Sequence, residues 1–142
     1  MLDIDYQVLK KIYKYGPLKV GQLAKNLKTP HSTVGSCIKR LEKKGYVVYN
    51  RYKSVFLSEK GKDLTIELKR HSHLLELLLV NELEIEVEKA HIECEKFNLL
   101  FSCEIINKIC ERYGHPKKCS CGEEILNSID CFCEEKNNRS LN

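Results

Sequence analysis

The sequence predicts a mainly α-helical protein of the α+β class, in which an N-terminal winged helix-turn-helix precedes a second, helical domain. Three observations in the 142 residues predict this architecture. Apolar residues recur at helical spacing in three short segments before residue 45. Two short runs of β-branched and aromatic residues follow. A long apolar stripe at helical spacing then begins near residue 59.

The first three elements are predicted to be helices. Residues 5–15 carry one apolar face and are ended by a Gly-Pro pair at Gly16. Residues 19–27 repeat the same spacing. A third helix follows the turn at Thr29 and ends at Gly45, because glycine favours the conformation that closes a helix.

A β-hairpin is predicted directly after the third helix. Residues 46–49 and 54–57 have the composition of strands, and residues 50–53 form a short basic connection between them. Three helices followed by a hairpin is the element order of a winged helix-turn-helix. We therefore assign residues 1–65 to a DNA-binding domain.

The remaining residues, 66–142, are predicted to form the helical second domain. One long helix spans about residues 59–83, and two more are expected over residues 86–97 and 102–113. The longest apolar run, residues 77–80, is far too short for a membrane span, and the N-terminus has no signal-peptide pattern. We expect a soluble cytoplasmic protein without a membrane partner.

The charge is divided unevenly along the chain. Residues 1–70 contain 16 Lys and Arg against 6 Asp and Glu, whereas residues 71–142 contain 8 against 14. A basic half beside an acidic half indicates that the first half meets a polyanion such as double-stranded DNA. Two ordinary solvated surfaces remain the alternative on charge alone.

The third helix and the hairpin carry the side chains that a DNA reader needs. Small polar residues let a helix approach the major groove, and longer basic ones reach bases or phosphates. The predicted DNA-binding residues are His31, Ser32, Thr33, Ser36, Lys39 and Arg40 on the helix and Arg51, Tyr52 and Lys53 in the wing. The alternative is a winged helix that mediates protein contacts.

Several segments together resemble the iron- and manganese-dependent repressors typified by the diphtheria toxin repressor. They are residues 39–47 (KRLEKKGYV), 57–61 (LSEKG), 70–79 (RHSHLLELLL), 90–95 (AHIECE) with Ser102, and 113–119 (YGHPKKC) with Gly122. The resemblance covers about residues 5–125. It implies a homodimer that binds a palindromic operator and whose second domain provides dimerisation and divalent metal binding.

The resemblance also implies candidate metal ligands. Glu76, His91 and Glu95 fall on ligand positions of the family. His91 and Glu95 are four residues apart, so they lie on one helix face and suit a shared cation. Other ligand positions are changed: Ser72 replaces a histidine, Asn98 and Leu99 replace a Glu-His pair, and Gln7 and Lys10 occupy ligand positions of the first helix. A polar cluster without metal is the alternative.

Seven of the eight cysteines follow residue 90, and four of them form two C-x-C pairs. Four thiolates at Cys119, Cys121, Cys131 and Cys133 would hold zinc or an iron–sulfur cluster. The neighbouring Lys117 and Lys118 are expected to favour the thiolate form of these cysteines. The alternative is four reduced cysteines that bind nothing.

The other cysteines are interpreted as structural. Cys37 is predicted to face the core between Val34 and Leu41. Cys103 and Cys110 are seven residues apart on one helix face, which favours core packing or a dimer interface.

Two functions follow from these patterns. The first is a dimeric DNA-binding transcriptional regulator, which we predict to be a repressor. It responds to iron, manganese or zinc, or to the state of a thiolate-bound metal. The second is a metal-independent DNA-binding regulator or architectural protein with a structural zinc only. The sequence shows no nucleophile–base constellation and no glycine-rich phosphate loop, so neither an enzyme nor a small-molecule substrate is predicted.

Overall fold

A computed structural model describes residues 1–96 and 101–126 of the chain. The chain divides into two compact units, and the boundary falls between Thr65 and Ile66. Among the described residues, no helix is both long enough and apolar enough to span a bilayer.

The first unit is a winged helix-turn-helix, as the sequence predicts. Its elements are α1 (Asp3–Tyr15), α2 (Val20–Leu27), α3 (His31–Lys43), β1 (Val47–Tyr49) and β2 (Val55–Leu57). The helices pack around a fully buried core of Leu9, Leu23 and Ile38. The two strands are antiparallel, with Val48 opposite Phe56.

The wing is held at both of its ends. The backbone N–H of Val55 donates to the Leu18 carbonyl at 2.8 Å, so the α1–α2 connection extends the hairpin. At the other end, the Ser58 N–H donates to the Tyr46 carbonyl at 3.0 Å, and the Gly61 N–H donates to Ser58 Oγ at 3.0 Å. These bonds fix the start of the wing against the first turn of α4 (Glu59–Leu83).

The second unit consists of the C-terminal part of α4, then α5 (Val87–Cys94) and α6 (Cys103–Arg112). α5 is shorter than the predicted helix over residues 86–97, since it begins at Val87 and ends at Cys94. Ser102 begins α6 as its N-cap, since its side chain accepts a hydrogen bond from the Ile105 N–H. The core contains apolar residues of all three helices and of the segment after α6: Leu74, Leu75, Leu77, Cys94, Ile106, Cys119 and Ile125.

The segment after α6 folds back as a tight loop. The Cys119 N–H donates to the Glu123 carbonyl at 2.8 Å, and the Gly122 N–H donates to the Cys119 carbonyl at 2.9 Å. Gly122 has a φ of 92°, a left-handed conformation that favours glycine. The loop therefore presents Cys121 and Glu123 to α4 and α5 while Cys119 enters the core.

Candidate functional site

Polar side chains are buried along α4, although the helical spacing of its apolar residues predicts only an apolar core-facing stripe. Glu67, His71, His73 and Glu76 all have exposed fractions of 3% or less, and Ser72 is 8% exposed. Ser72, at a position where the resemblance implies a histidine, donates to the Cys94 carbonyl at 2.9 Å. Buried polar groups are tolerated when they find partners, so their surroundings define the candidate site.

The residues at Glu76, His91 and Cys121 converge in the second unit. Their ligand atoms, a carboxylate oxygen, an imidazole nitrogen and a thiol sulfur, all lie within 4.8 Å of one another. His91 Nδ1 lies 3.2 Å from Glu76 Oε2. α4, α5 and the loop after α6 each supply one ligand, so the three side chains belong to different elements.

Glu76 is completely buried, and only one of its oxygens is satisfied. Oε1 has no hydrogen-bond partner among residues 1–96 and 101–126. A buried carboxylate oxygen without a partner is costly, because neither water nor a donor replaces its solvation. The three-residue group can supply the missing partner by binding a cation, and its mixed oxygen, nitrogen and sulfur donors fit a transition metal.

Three further residues border this group. Glu95 directly follows α5, and its Oε1 lies 3.6 Å from His91 Nε2, as their four-residue spacing predicts. His73 Nε2 lies 2.9 Å from Glu123 Oε2, and His73, Cys121 and Glu123 also bring their ligand atoms within 4.8 Å of each other. Burial would raise the pKa of Glu123, but the hydrogen bond from His73 and the charge of Lys69 hold it below its ordinary value.

The cysteines behave differently from the sequence prediction. Burial raises the pKa of Cys119 and of Cys121, and the negative charge of Glu76 raises both further. The expectation that Lys117 and Lys118 favour the thiolate is therefore wrong. Cys119 is 5% exposed, and its thiol donates to the His73 carbonyl at 3.5 Å.

The four-cysteine site is only half within the described residues. Cys131 and Cys133 lie outside them, as do Asn98 and Leu99 of the changed ligand pair. Cys121 lies beside Glu76 and His91. The sequence analysis instead treated the cysteine pairs as one site and Glu76, His91 and Glu95 as another. No local pattern could have joined them, because 45 residues separate Glu76 from Cys121.

The predicted DNA-binding residues occupy one helix and the wing of the first unit. Those on α3 other than Arg40 are exposed, as are the three wing residues: His31, Ser32, Thr33, Ser36, Lys39, Arg51, Tyr52 and Lys53. Tyr52 is 86% exposed and takes a φ of 65° at the wing tip, where the Arg51 guanidinium lies 5.8 Å from its ring centroid. The inner face of α3 carries Cys37, which is fully buried as predicted.

Arg40 also contacts α1. Its Nη2 lies 2.7 Å from Oδ1 of Asp5, whose side chain is 1% exposed, and Arg40 is itself only partly exposed. Burial would raise the pKa of Asp5, but hydrogen bonds from Arg40, Cys37 and the Leu2 N–H hold it below the ordinary value. Arg40 thus joins α3 to α1 through Asp5, and its contact with DNA stays a prediction.

Two family models match the chain. The model described as the iron dependent repressor metal binding and dimerisation domain matches residues 58–127, and that of the MarR family matches residues 5–54. The first therefore covers the helical second unit with the Glu76–His91–Cys121 group, and the second covers most of the winged helix.

Solved structures share the fold over most of the chain. A hypothetical protein from Sulfolobus solfataricus is 28% identical, with a TM-score of 0.73 over 88% of this chain and 96% of that one. A manganese-dependent transcriptional repressor solved with manganese is 25% identical, with a TM-score of 0.76 over 87% of this chain. The manganese regulator SloR is 23% identical, with a TM-score of 0.77 over 92% of this chain.

The chain spans 59% of the length of that manganese-dependent repressor and 63% of SloR. Within this span the shared fold covers both the winged helix and the helical domain. The domain match assigns residues 58–127 to the iron dependent repressor metal binding and dimerisation domain, and the shared fold extends the likeness to these repressors over most of the chain.

Proposed function

We propose that the chain is a DNA-binding transcriptional repressor whose affinity for its operator depends on a divalent transition metal held by Glu76, His91 and Cys121. One observation carries the proposal: three ligands from three elements lie within 4.8 Å of one another, and one of them, the buried Glu76, has a carboxylate oxygen without a hydrogen-bond partner among the described residues. The domain match supports the regulatory role, and the similar structures include a manganese-dependent transcriptional repressor.

The donor set favours Zn²⁺ or Fe²⁺ over Mn²⁺. Thiolate is a soft ligand that suits zinc and iron, whereas manganese is suited by carboxylate, carbonyl and water oxygens. One carboxylate and one thiolate also neutralise a divalent cation in a site where Glu76 is buried and His91 and Cys121 are partly buried. Because burial and the Glu76 charge raise the pKa of Cys121, the metal must displace the thiol proton, so we expect its affinity to increase with pH.

Glu95 and the pair of His73 and Glu123 border the same site and would act as additional or supporting ligands. Their carboxylates are only partly buried, and each contacts a histidine. Such contacts fix the orientation of a ligating imidazole or replace a ligand that is lost. The predicted four-cysteine zinc or iron–sulfur site remains an alternative use of Cys121, and we favour the mixed site because its ligand atoms already lie close together.

The basic first unit would supply the contact with DNA. Exposed small and polar residues begin α3, Lys39 lies further along its outer face, and Arg51 and Lys53 extend the positive charge into the wing. The first unit would therefore contact phosphates along the groove that α3 enters. Apolar side chains on the second unit support a homodimer: Ile92 is 60% exposed and Ile105 is 47% exposed.

The decisive experiment measures DNA binding against metal. The labelled promoter fragment upstream of the chain's own gene is titrated with the protein, and binding is followed by fluorescence anisotropy. The titration is done first with chelated protein and then with protein supplied with Zn²⁺, Mn²⁺ or, in the absence of oxygen, Fe²⁺. We expect affinity to rise about tenfold or more with Zn²⁺ or Fe²⁺, a coupling of about 1.4 kcal/mol or more. Metal content is measured on the same samples.

Two variants and one control localise the effect. Glu76→Gln and Cys121→Ser are expected to abolish the metal response. Cys110→Ser, on α6 and outside both ligand groups described above, is expected to keep it. An affinity for DNA that is unchanged by metal, chelator and oxidant would contradict the proposed regulation. If removing the metal then lowers only the thermal stability, the metal-independent regulator with a structural zinc is the correct function.

A further inference from the structure

We propose a second cation site, formed by Glu67 and His71 of α4 and Cys103 of α6, that takes Zn²⁺ or a similar borderline metal. The ligand atoms of these three residues lie within 4.8 Å of one another. The site shares no residue with the Glu76–His91–Cys121 group. Neither the resemblance to the repressor family nor the spacing of the cysteines points to it.

The three side chains are packed inside the second unit. Glu67 and His71 are each 1% exposed, and Cys103 is 9% exposed. Glu67 and His71 lie one helical turn apart on the same face of α4, and the N-terminus of α6 brings Cys103 to them. The Cys103 thiol lies 3.6 Å from Glu67 Oε1, and His71 Nε2 lies 3.7 Å from the same oxygen.

His71 points independently to a ligand. Both of its ring nitrogens are buried, and neither forms a hydrogen bond with any part of the chain that the structure describes. The separation of Nε2 from Glu67 is too long for a hydrogen bond. A buried imidazole normally has a partner for at least one nitrogen, because its desolvation otherwise goes uncompensated. A cation among the three residues would be that partner.

The chemistry of the three donors fits a zinc-type ion. Imidazole nitrogen, thiolate sulfur and carboxylate oxygen are the protein ligands of Zn²⁺. One thiolate and one carboxylate balance the two positive charges, so the buried complex has no net charge. Binding displaces the proton of the Cys103 thiol to solvent, and no electron is transferred.

The consequence of occupancy is mechanical. The ion would join α4 to the first turn of α6, and we expect it to stabilise the second unit by binding only the folded state. This role is separate from regulation of DNA binding. It therefore requires its own ligands and does not require Cys121.

The test uses the full chain and Zn²⁺ alone. Metal content after dialysis against a zinc buffer is expected to fall by one equivalent in Cys103→Ser relative to the wild type. Cys110→Ser, seven residues further along α6, is the matched control and is expected to keep the full content. The zinc-induced rise in melting temperature should be smaller in Cys103→Ser than in this control.

Crystals of the wild type grown with Zn²⁺ provide a measurement that does not depend on a variant folding. An anomalous difference peak at the zinc edge is expected among Glu67, His71 and Cys103. A peak only at Glu76, His91 and Cys121, or an unchanged zinc content in Cys103→Ser, would overturn the proposal. Neither readout depends on DNA, so this site can fail while the proposed regulation stands.

Discussion

The contact between Gly61 and the carbonyl of Tyr46 yields a quantitative prediction for Gly61→Ala. A Cβ built on Gly61 would lie 2.0 Å from Tyr46 O and 3.0 Å from the Tyr46 carbonyl carbon. Real Cβ contacts stay beyond 3.0 Å, so the backbone at the start of the wing must move by about 1 Å. The obstacle is a backbone carbonyl, which cannot avoid the clash by changing rotamer.

The expected net cost is about 1–3 kcal/mol. Overpacking of this kind costs about 1–3 kcal/mol. Distorting the hydrogen bond from the Ser58 N–H to Tyr46 O adds about 1 kcal/mol. The higher helix propensity of alanine in α4 offsets about 1 kcal/mol of this loss in the free energy of unfolding.

Urea unfolding monitored by circular dichroism measures this cost. Gly35→Ala is the matched control, because the added Cβ on α3 meets nothing within 4 Å. It should raise the free energy of unfolding by up to about 1 kcal/mol. If Gly61→Ala were as stable as this control, or more stable than the wild type, the argument from the Tyr46 contact would be refuted.

Three further predictions concern charge, assembly and DNA. Asp5→Asn should lower the free energy of unfolding near pH 7 by about 1–3 kcal/mol, because it removes the charged partner of Arg40. Since the pKa of Asp5 is lowered in the folded state, its contribution is complete above the unfolded value of 3.8 and is lost as the pH falls through the lower folded value. The gap between the two proteins, measured by urea unfolding from pH 7 to pH 3, should therefore narrow below about pH 4, and a constant gap would be inconsistent with the ion pair. Ile105→Glu should convert a dimer to monomers in sedimentation experiments, because it places a charge on an exposed apolar position of α6, and an unchanged mass would exclude this position from the interface. Lys39→Ala should weaken DNA binding and reduce the slope of log affinity against log salt by about 1, and an unchanged slope in anisotropy titrations would show that Lys39 meets no phosphate.

The helical and hairpin elements could be predicted from the sequence because their signals are local. The spacing of Val8 and Ile12 indicates a helix without knowledge of its neighbours, and the β-branched run at Val47 indicates a strand. The pairing of His91 with Glu95 follows in the same way from one turn of helix, and the structure places their side chains 3.6 Å apart. The inward position of Cys37 between apolar neighbours is a further local inference that the structure confirms.

Only the tertiary structure decided which distant side chains meet. Cys121 reaches Glu76 and His91 because the loop after α6 folds back, and Cys103 reaches Glu67 and His71 because α6 packs against α4. These contacts depend on how helices rotate and pack, which no local spacing records. Arg40 shows the same limit, since its ion pair with Asp5 of α1 cannot be inferred from its position on α3. The sequence alone thus determined the elements and the kinds of ligand available, and packing decided which of them share a site.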